Sequence, residues 1–201
     1  GITLDQSLPT STIISPVMGG FYKASTWPGS ISGTAADTIS GLNKVEVSTD
    51  SATWNLATGT STWSYALTPS TDGTYSYYSK ATDNATNLQS PVASVTSVVY
   101  DTTNPTGSWN SPADNVTISG STTLDVTAAD SLSGVASVKF QHKISTATSF
   151  TDIATGTWDT TPLALGQYTI RAVITDKSGN VTNVDRTIYV AAVITSISNF
   201  T

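Results

Sequence analysis

Two sets of oxygen-bearing side chains define the chemistry this sequence could support. One is Asp101, Asp130, Asp176 and Asn180; the other is Asp5, Asp37, Asp83 and Asn87. Carboxylate and amide oxygens are hard ligands, and calcium takes about six to eight of them. Backbone carbonyls would supply the balance. Carboxylates at close range repel, so a site of this kind is looser without its cation. Each residue taken alone also suits a turn, where an Asp or Asn side chain hydrogen-bonds the local backbone. Both readings stand at this point. Catalytic groups are sparse. His142 is the only histidine, so no His-based metal cluster can form. It shares strand parity with Val138 and Phe140 and reads as a partly buried strand residue. The Gly-x-Ser-x-Gly elbow of a serine hydrolase is absent.

Whether the carboxylates meet depends on the elements that carry them, and those occur twice. The stretch from Thr34 to Leu42 returns from Thr127 to Val135. Gly73-Thr74-Tyr75 returns as Gly166-Gln167-Tyr168. Asp37 to Asp130, Tyr75 to Tyr168 and Asn87 to Asn180 are all 93 positions apart. Upstream, Asp5, Pro9 and Pro16 return as Asp101, Pro105 and Pro112, 96 positions apart. A long period with one small length change implies two copies of one folded domain. The expected division is 1–100, 101–190, and a tail at 191–201 that starts another module or lacks order.

Composition narrows the class. Only 11% of the 201 residues are charged, against roughly 25% in average soluble domains. The abundance of Thr, Ser and Val favours pleated strands over helices. Lys and Arg total 8 against 14 acidic residues, so no basic surface for nucleic acid is expected. No run of 18 apolar residues suggests membrane insertion in this segment. Without cysteine, stability must come from packing.

Within each copy, apolar residues alternate over short stretches. Ile31, Gly33 and Ala35 share one face, as do Val45 and Val47, then Trp63, Tyr65 and Leu67. In the second copy Leu124, Val126 and Ala128 alternate, then Val138, Phe140 and His142, then Ile170, Ala172 and Ile174. About seven strands turning every 8–12 residues is the pattern of an immunoglobulin-like sandwich. The fold class is therefore all-β, with two tandem immunoglobulin-like sandwiches expected end to end. In that fold a tyrosine at the E–F corner hydrogen-bonds back to the corner backbone. Tyr75 and Tyr168 hold that place, which puts Tyr77 and Ile170 inward. The loops B–C and F–G lie where strand A begins, so each acidic set would gather at one end of its copy. The short linker Asp101–Pro105 is expected to limit hinge freedom, because Pro105 fixes its own φ and extends Asn104.

Three smaller features are read conservatively. Ser48 to Trp54 suits a turn after strand C, with Trp54 covering the sheet. Trp27, Tyr78 and Trp109 are the aromatic candidates for a sugar-stacking surface, although aromatics in small sandwiches are mostly core. Paired carboxylates for glycoside cleavage need a cleft that two slim sandwiches rarely provide.

Asp101-Thr102-Thr103-Asn104-Pro105, Ser133-Gly134-Val135, Gly166-Gln167-Tyr168 and Asp176-Lys177-Ser178-Gly179-Asn180 together resemble the bacterial Ig-like domains strung in tandem in large surface proteins and adhesins. The first copy departs at Asp5-Gln6-Ser7-Leu8-Pro9, and Thr86 stands where that family prefers Gly. The resemblance implies a non-catalytic spacer or stalk module, secreted or at the cell surface. It also implies neighbouring Ig-like domains as partners, and calcium at domain junctions in some relatives. The alternatives are a module binding a glycan or a host or cell-surface protein, or an accessory domain of an extracellular polysaccharide-degrading enzyme.

Overall fold

The computed structural model describes residues 4–192. Among these there are strands, turns and bends and no helix. The chain forms two compact units, Gly1–Thr102 and Thr103–Thr201. Each is a sandwich with its own core. The expectation for the tail lies, from position 193 onward, outside the described residues.

The first unit comprises β1 (Thr10–Ser15), β2 (Phe21–Tyr22), β3 (Ser30–Ala36), β4 (Leu42–Ser48), β5 (Asn55–Leu56), β6 (Thr58–Gly59), β7 (Thr62–Ala66), β8 (Gly73–Asp83) and β9 (Ala93–Tyr100). One sheet has the order β1-β3-β7-β6 and the other β2-β9-β8-β4-β5. The period-two pattern turns Ile31, Val45, Val47, Tyr77 and Ala81 inward, where they are fully buried. Trp63 fills the centre because Gly33 opposite it has no side chain. A Cβ there would stand 2.6 Å from the Trp63 ring and would collide with the Thr12 carbonyl. A buried polar link joins the sheets. The Ser11 hydroxyl donates to Gln89 Oε1 at 2.7 Å and lies 2.8 Å from the Ser79 hydroxyl. The Ala81 amide donates to the same Gln89 oxygen.

The second unit comprises β10 (Thr106–Ser111), β11 (Val116–Ile118), β12 (Ser121–Thr123), β13 (Asp125–Ala129), β14 (Val135–Ile144), β15 (Thr151–Ile153), β16 (Thr157–Asp159), β17 (Gly166–Asp176) and β18 (Val181–Val190). Its five-stranded sheet, β11-β18-β17-β14-β15, matches that of the first unit. The opposite sheet does not. It is split into the pairs β10-β13 and β12-β16. Val126 stands where the first copy has Gly33, and Trp109 of β10 lies opposite it and packs on Phe140. Trp158 instead pairs with Thr122, on the other side of the core residue Leu124.

Both tyrosine corners form as expected. Tyr75 donates its hydroxyl to the Thr71 carbonyl at 2.7 Å, and Tyr168 to Ala164 at 3.0 Å. Each bond ties the loop entering β8 or β17 to the strand that follows.

Candidate metal centre

The loops after β3 and β8 and the segment entering β1 meet at one end of the first unit. Their positions place Asp37, Asp83 and Asp5 together, each offering a carboxylate oxygen within 4.8 Å of the others. Asp83 is fully buried, Asp5 nearly so, and Asp37 half-buried. Backbone donors hold each one. Asp37 Oδ1 accepts from the Gly41 amide at 2.7 Å and the Ile39 amide at 3.2 Å, which closes the loop between β3 and β4. Asp5 accepts from the Ser7 and Ser40 amides, both at 2.9 Å. Asp83 accepts from the Asn87 amide at 2.7 Å. The Ser40 hydroxyl, and then the Ser7 and Ser40 amides, hold the Asp5 carboxyl below the usual carboxylate range against the opposing effect of burial.

Asn87 takes a different part from the aspartates. Its Nδ2 donates to Asp83 Oδ2 at 2.8 Å and to the Asp5 carbonyl at 3.1 Å. It therefore presents nitrogen to the cluster and braces Asp83 and Asp5 in place. Among the described residues, no lysine or arginine pairs with Asp5, Asp37 or Asp83. Three carboxylates so close, with no cation of the protein, suit a divalent ion bound through oxygen.

The second unit repeats the local geometry. Asp130 Oδ1 accepts from the Gly134 amide at 2.7 Å, the Leu132 amide at 3.2 Å and the Ser133 hydroxyl at 3.2 Å. Asp176 accepts from the Asn180 amide and from Asn180 Nδ2, both at 2.8 Å. Carboxylate oxygens of Asp130 and Asp176 lie within 4.8 Å of each other. Asp101, the sequence counterpart of Asp5, closes the first unit; it is fully buried and its amide donates to the Tyr22 carbonyl. The two units differ at one position nearby. Lys177 Nζ stands 3.5 Å from where a Cβ on Gly134 would lie, and in the first unit Asn84 Nδ2 takes that place against Gly41. The second loop pair thus carries an ammonium of its own.

The other candidates resolve as follows. Trp27 and Trp109 are not surface residues, which corrects the sugar-stacking expectation for both. Trp27 packs against Tyr22, Tyr77 and Tyr100, and its Nε1–H donates to the Leu67 carbonyl at 2.7 Å. Trp109 packs on Phe140 and donates to the Val184 carbonyl at 3.0 Å. In both cases a backbone carbonyl satisfies the indole N–H, which lets the ring be buried. Tyr78 remains half-exposed on β8. The Ser48–Trp54 segment is a turn organised by Asp50, whose Oδ1 accepts from Ser48, Ala52 and Thr53. Trp54 then covers Lys80, with Nζ 4.0 Å from the ring centroid. His142 packs between Trp158 and Tyr168, and burial pushes its pKa down. Its Nδ1 is buried without a partner, far from the arrangement a general base needs.

The family described as bacterial Ig domain matches the chain twice, over residues 9–78 and 105–172. No curated protein matches. Among solved structures, the fibronectin(III)-like modules of Clostridium thermocellum CbhA are similar over 96% of this chain and 100% of theirs, at 21% identity and a TM-score of 0.52. A Ca2+-stabilized adhesin that helps an Antarctic bacterium bind ice is similar over 94% of this chain and 50% of its own, at 19% identity and a TM-score of 0.45. Among the described residues no helix is long and apolar enough to cross a membrane.

Proposed function

The chain belongs to the bacterial Ig domain family, and from that premise we propose that it is a non-catalytic structural module of a secreted or cell-surface protein, one part of an adhesin-like stalk, stiffened by calcium. The observation that carries the calcium reading is the meeting of Asp5, Asp37 and Asp83 with no protein cation among them. Asn87 acts there as a brace, and backbone carbonyls or water complete the shell. In the second unit Asp130 and Asp176 are the corresponding ligands and Asn180 the brace.

The role is mechanical. Calcium would join the segment entering β1 to the β3–β4 loop and the loop after β8, so that the end of the sandwich resists opening under load. The chemistry needed is charge neutralisation alone, which explains why the one histidine has no counterpart in the first copy. Thermal unfolding of the full chain in calcium and in chelator tests the reading. A filled site should raise the midpoint by several degrees, since about 1 kcal/mol corresponds to roughly 4–8 °C in a domain of this size. Superimposable transitions in calcium, magnesium and chelator would remove calcium from the proposal and leave the structural role. Loss of affinity for a glycan array or a host protein on changing Tyr78→Ala would favour the binding-module alternative.

A further inference from the structure

The split sheet of the second unit leaves a gap that the first unit fills. In the first unit β6 and β7 cover the flank between β3 and β4. The Ala35 amide donates to the Ser61 carbonyl, and the Ala57 amide donates to Val45. Val45 and Val47 beneath are fully buried. In the second unit β16 runs along β12 and stops where the Leu124 amide donates to the Gly156 carbonyl. From there the ladder continues on β13 with nothing on its far side. Strand parity turns the N–H and C=O of Leu124, Val126 and Ala128 the same way, away from β10. Leu124 is paired; Val126 and Ala128 have no partner on that side among the described residues. The apolar surface below is uncovered as well. Val138 and Phe140 are partly exposed, where their counterparts Val45 and Val47 are sealed. A cleft of about 330 Å³ opens beside them, bounded by Ile153 and Gly156.

We propose that this flank is a strand-addition site for an extended segment of another polypeptide chain, one with an aromatic residue between small polar ones. The segment continues the line of β16 antiparallel to β13, exchanges backbone hydrogen bonds with Val126 and Ala128, and lays its ring over Val138 and Phe140. The first unit identifies the chemistry. There the same position is taken by Ser61-Thr62-Trp63-Ser64, part of the same sandwich, with the Trp63 ring in the core. The edge is open to addition because its guards are few. Strand β13 has no proline and no lysine, and its one charged residue, Asp125, accepts from Asn110 of the neighbouring β10. Main-chain bonds would give such a partner its affinity, and the cleft its preference for an aromatic.

The test uses the full chain and a synthetic peptide copied from residues 59–67 of this sequence. Amide hydrogen exchange of Val126 and Ala128 should be fast in the free protein and slow by about tenfold or more at saturating peptide. Asp125 and Thr127, which face β10, should not change. Replacing the peptide tryptophan by alanine should weaken binding. Ala128→Pro removes one outward donor, and edge positions of this kind tolerate proline. It should abolish binding while leaving the thermal midpoint in place. If that variant fails to fold, a peptide N-methylated at alternate residues makes the same test from the ligand side, since only one phase of methylation should block binding. The proposal is overturned if Val126 and Ala128 are already protected in the free protein. It is equally overturned if no binding occurs up to millimolar peptide, or if binding protects amides elsewhere.

Discussion

Asn87 holds both oxygens of Asp83 at once: its backbone amide reaches Oδ1 at 2.7 Å and its side-chain Nδ2 reaches Oδ2 at 2.8 Å. Asn180 grips Asp176 in the same way. A carboxylate so deeply buried tolerates its charge only because donors surround it. Asn87→Ala removes one donor and leaves a buried charged acceptor short of a partner. The expected cost is about 1.5–3 kcal/mol, read as a lower denaturant midpoint at unchanged m-value. Asn87→Asp should do worse, because it adds a fourth carboxylate to the cluster. A neutral result for both would mean that Asp83 is held by the backbone alone.

The sign of an Asp37 substitution should depend on the medium. Asp37→Asn keeps the oxygen that accepts from Gly41 but removes a charge. In chelator it relieves repulsion with Asp5 and Asp83, so the thermal midpoint should rise. With calcium present it exchanges a charged ligand for a neutral, weaker one, so the midpoint should fall below that of the parent chain. Crossing curves are the expected observation. A shift of the same sign in both media would show that Asp37 serves the turn and not a cation.

The corner tyrosines give a prediction free of any ligand. Tyr168→Phe keeps the buried ring and deletes only the bond to Ala164. About 0.5–1.5 kcal/mol should be lost, with the Ala164 carbonyl left to find water. Tyr75→Phe should behave alike through Thr71. Chemical denaturation of single and double variants checks this, and the two costs should add because the residues sit in separate units.

These corners and the first acidic cluster could be read from sequence because they depend on chain connectivity and on residues fixed at turns. The repeat at constant spacing marked Tyr75 and Tyr168, and the strand order then brought Asp5, Asp37 and Asp83 to one end. Side-chain facing in loops was not readable. Trp27 precedes Pro28 outside any alternating stretch, so nothing local shows that Leu67 will satisfy its indole and let it go inside. The slip of Trp158 was also hidden. Trp63 pairs with Gly33 but Trp158 pairs with Thr122, a register that appears only when two strands are laid against each other. The brace role of Asn87 and Asn180 was missed for a similar reason, since sequence names an amide but not which end of it faces the carboxylate.

His142 should make the second unit sensitive to mild acid. Its ring is enclosed by Trp158 and Tyr168, at centroid distances of 5.3 and 5.9 Å, and burial lowers its pKa in the folded state. The unfolded chain, with an ordinary histidine near pH 6.5, then binds the proton more readily than the folded one. Stability should be flat above about pH 6.5, fall as the pH drops below it, and level off once the folded-state pKa is passed. No other histidine titrates in this window, and ordinary carboxylates do so lower, near pH 4. Urea midpoints measured from pH 8 to pH 5 should therefore slope for the parent chain and flatten for His142→Phe, which keeps an aromatic ring against Trp158. An equal slope in the variant would assign the acid sensitivity to the carboxylates instead.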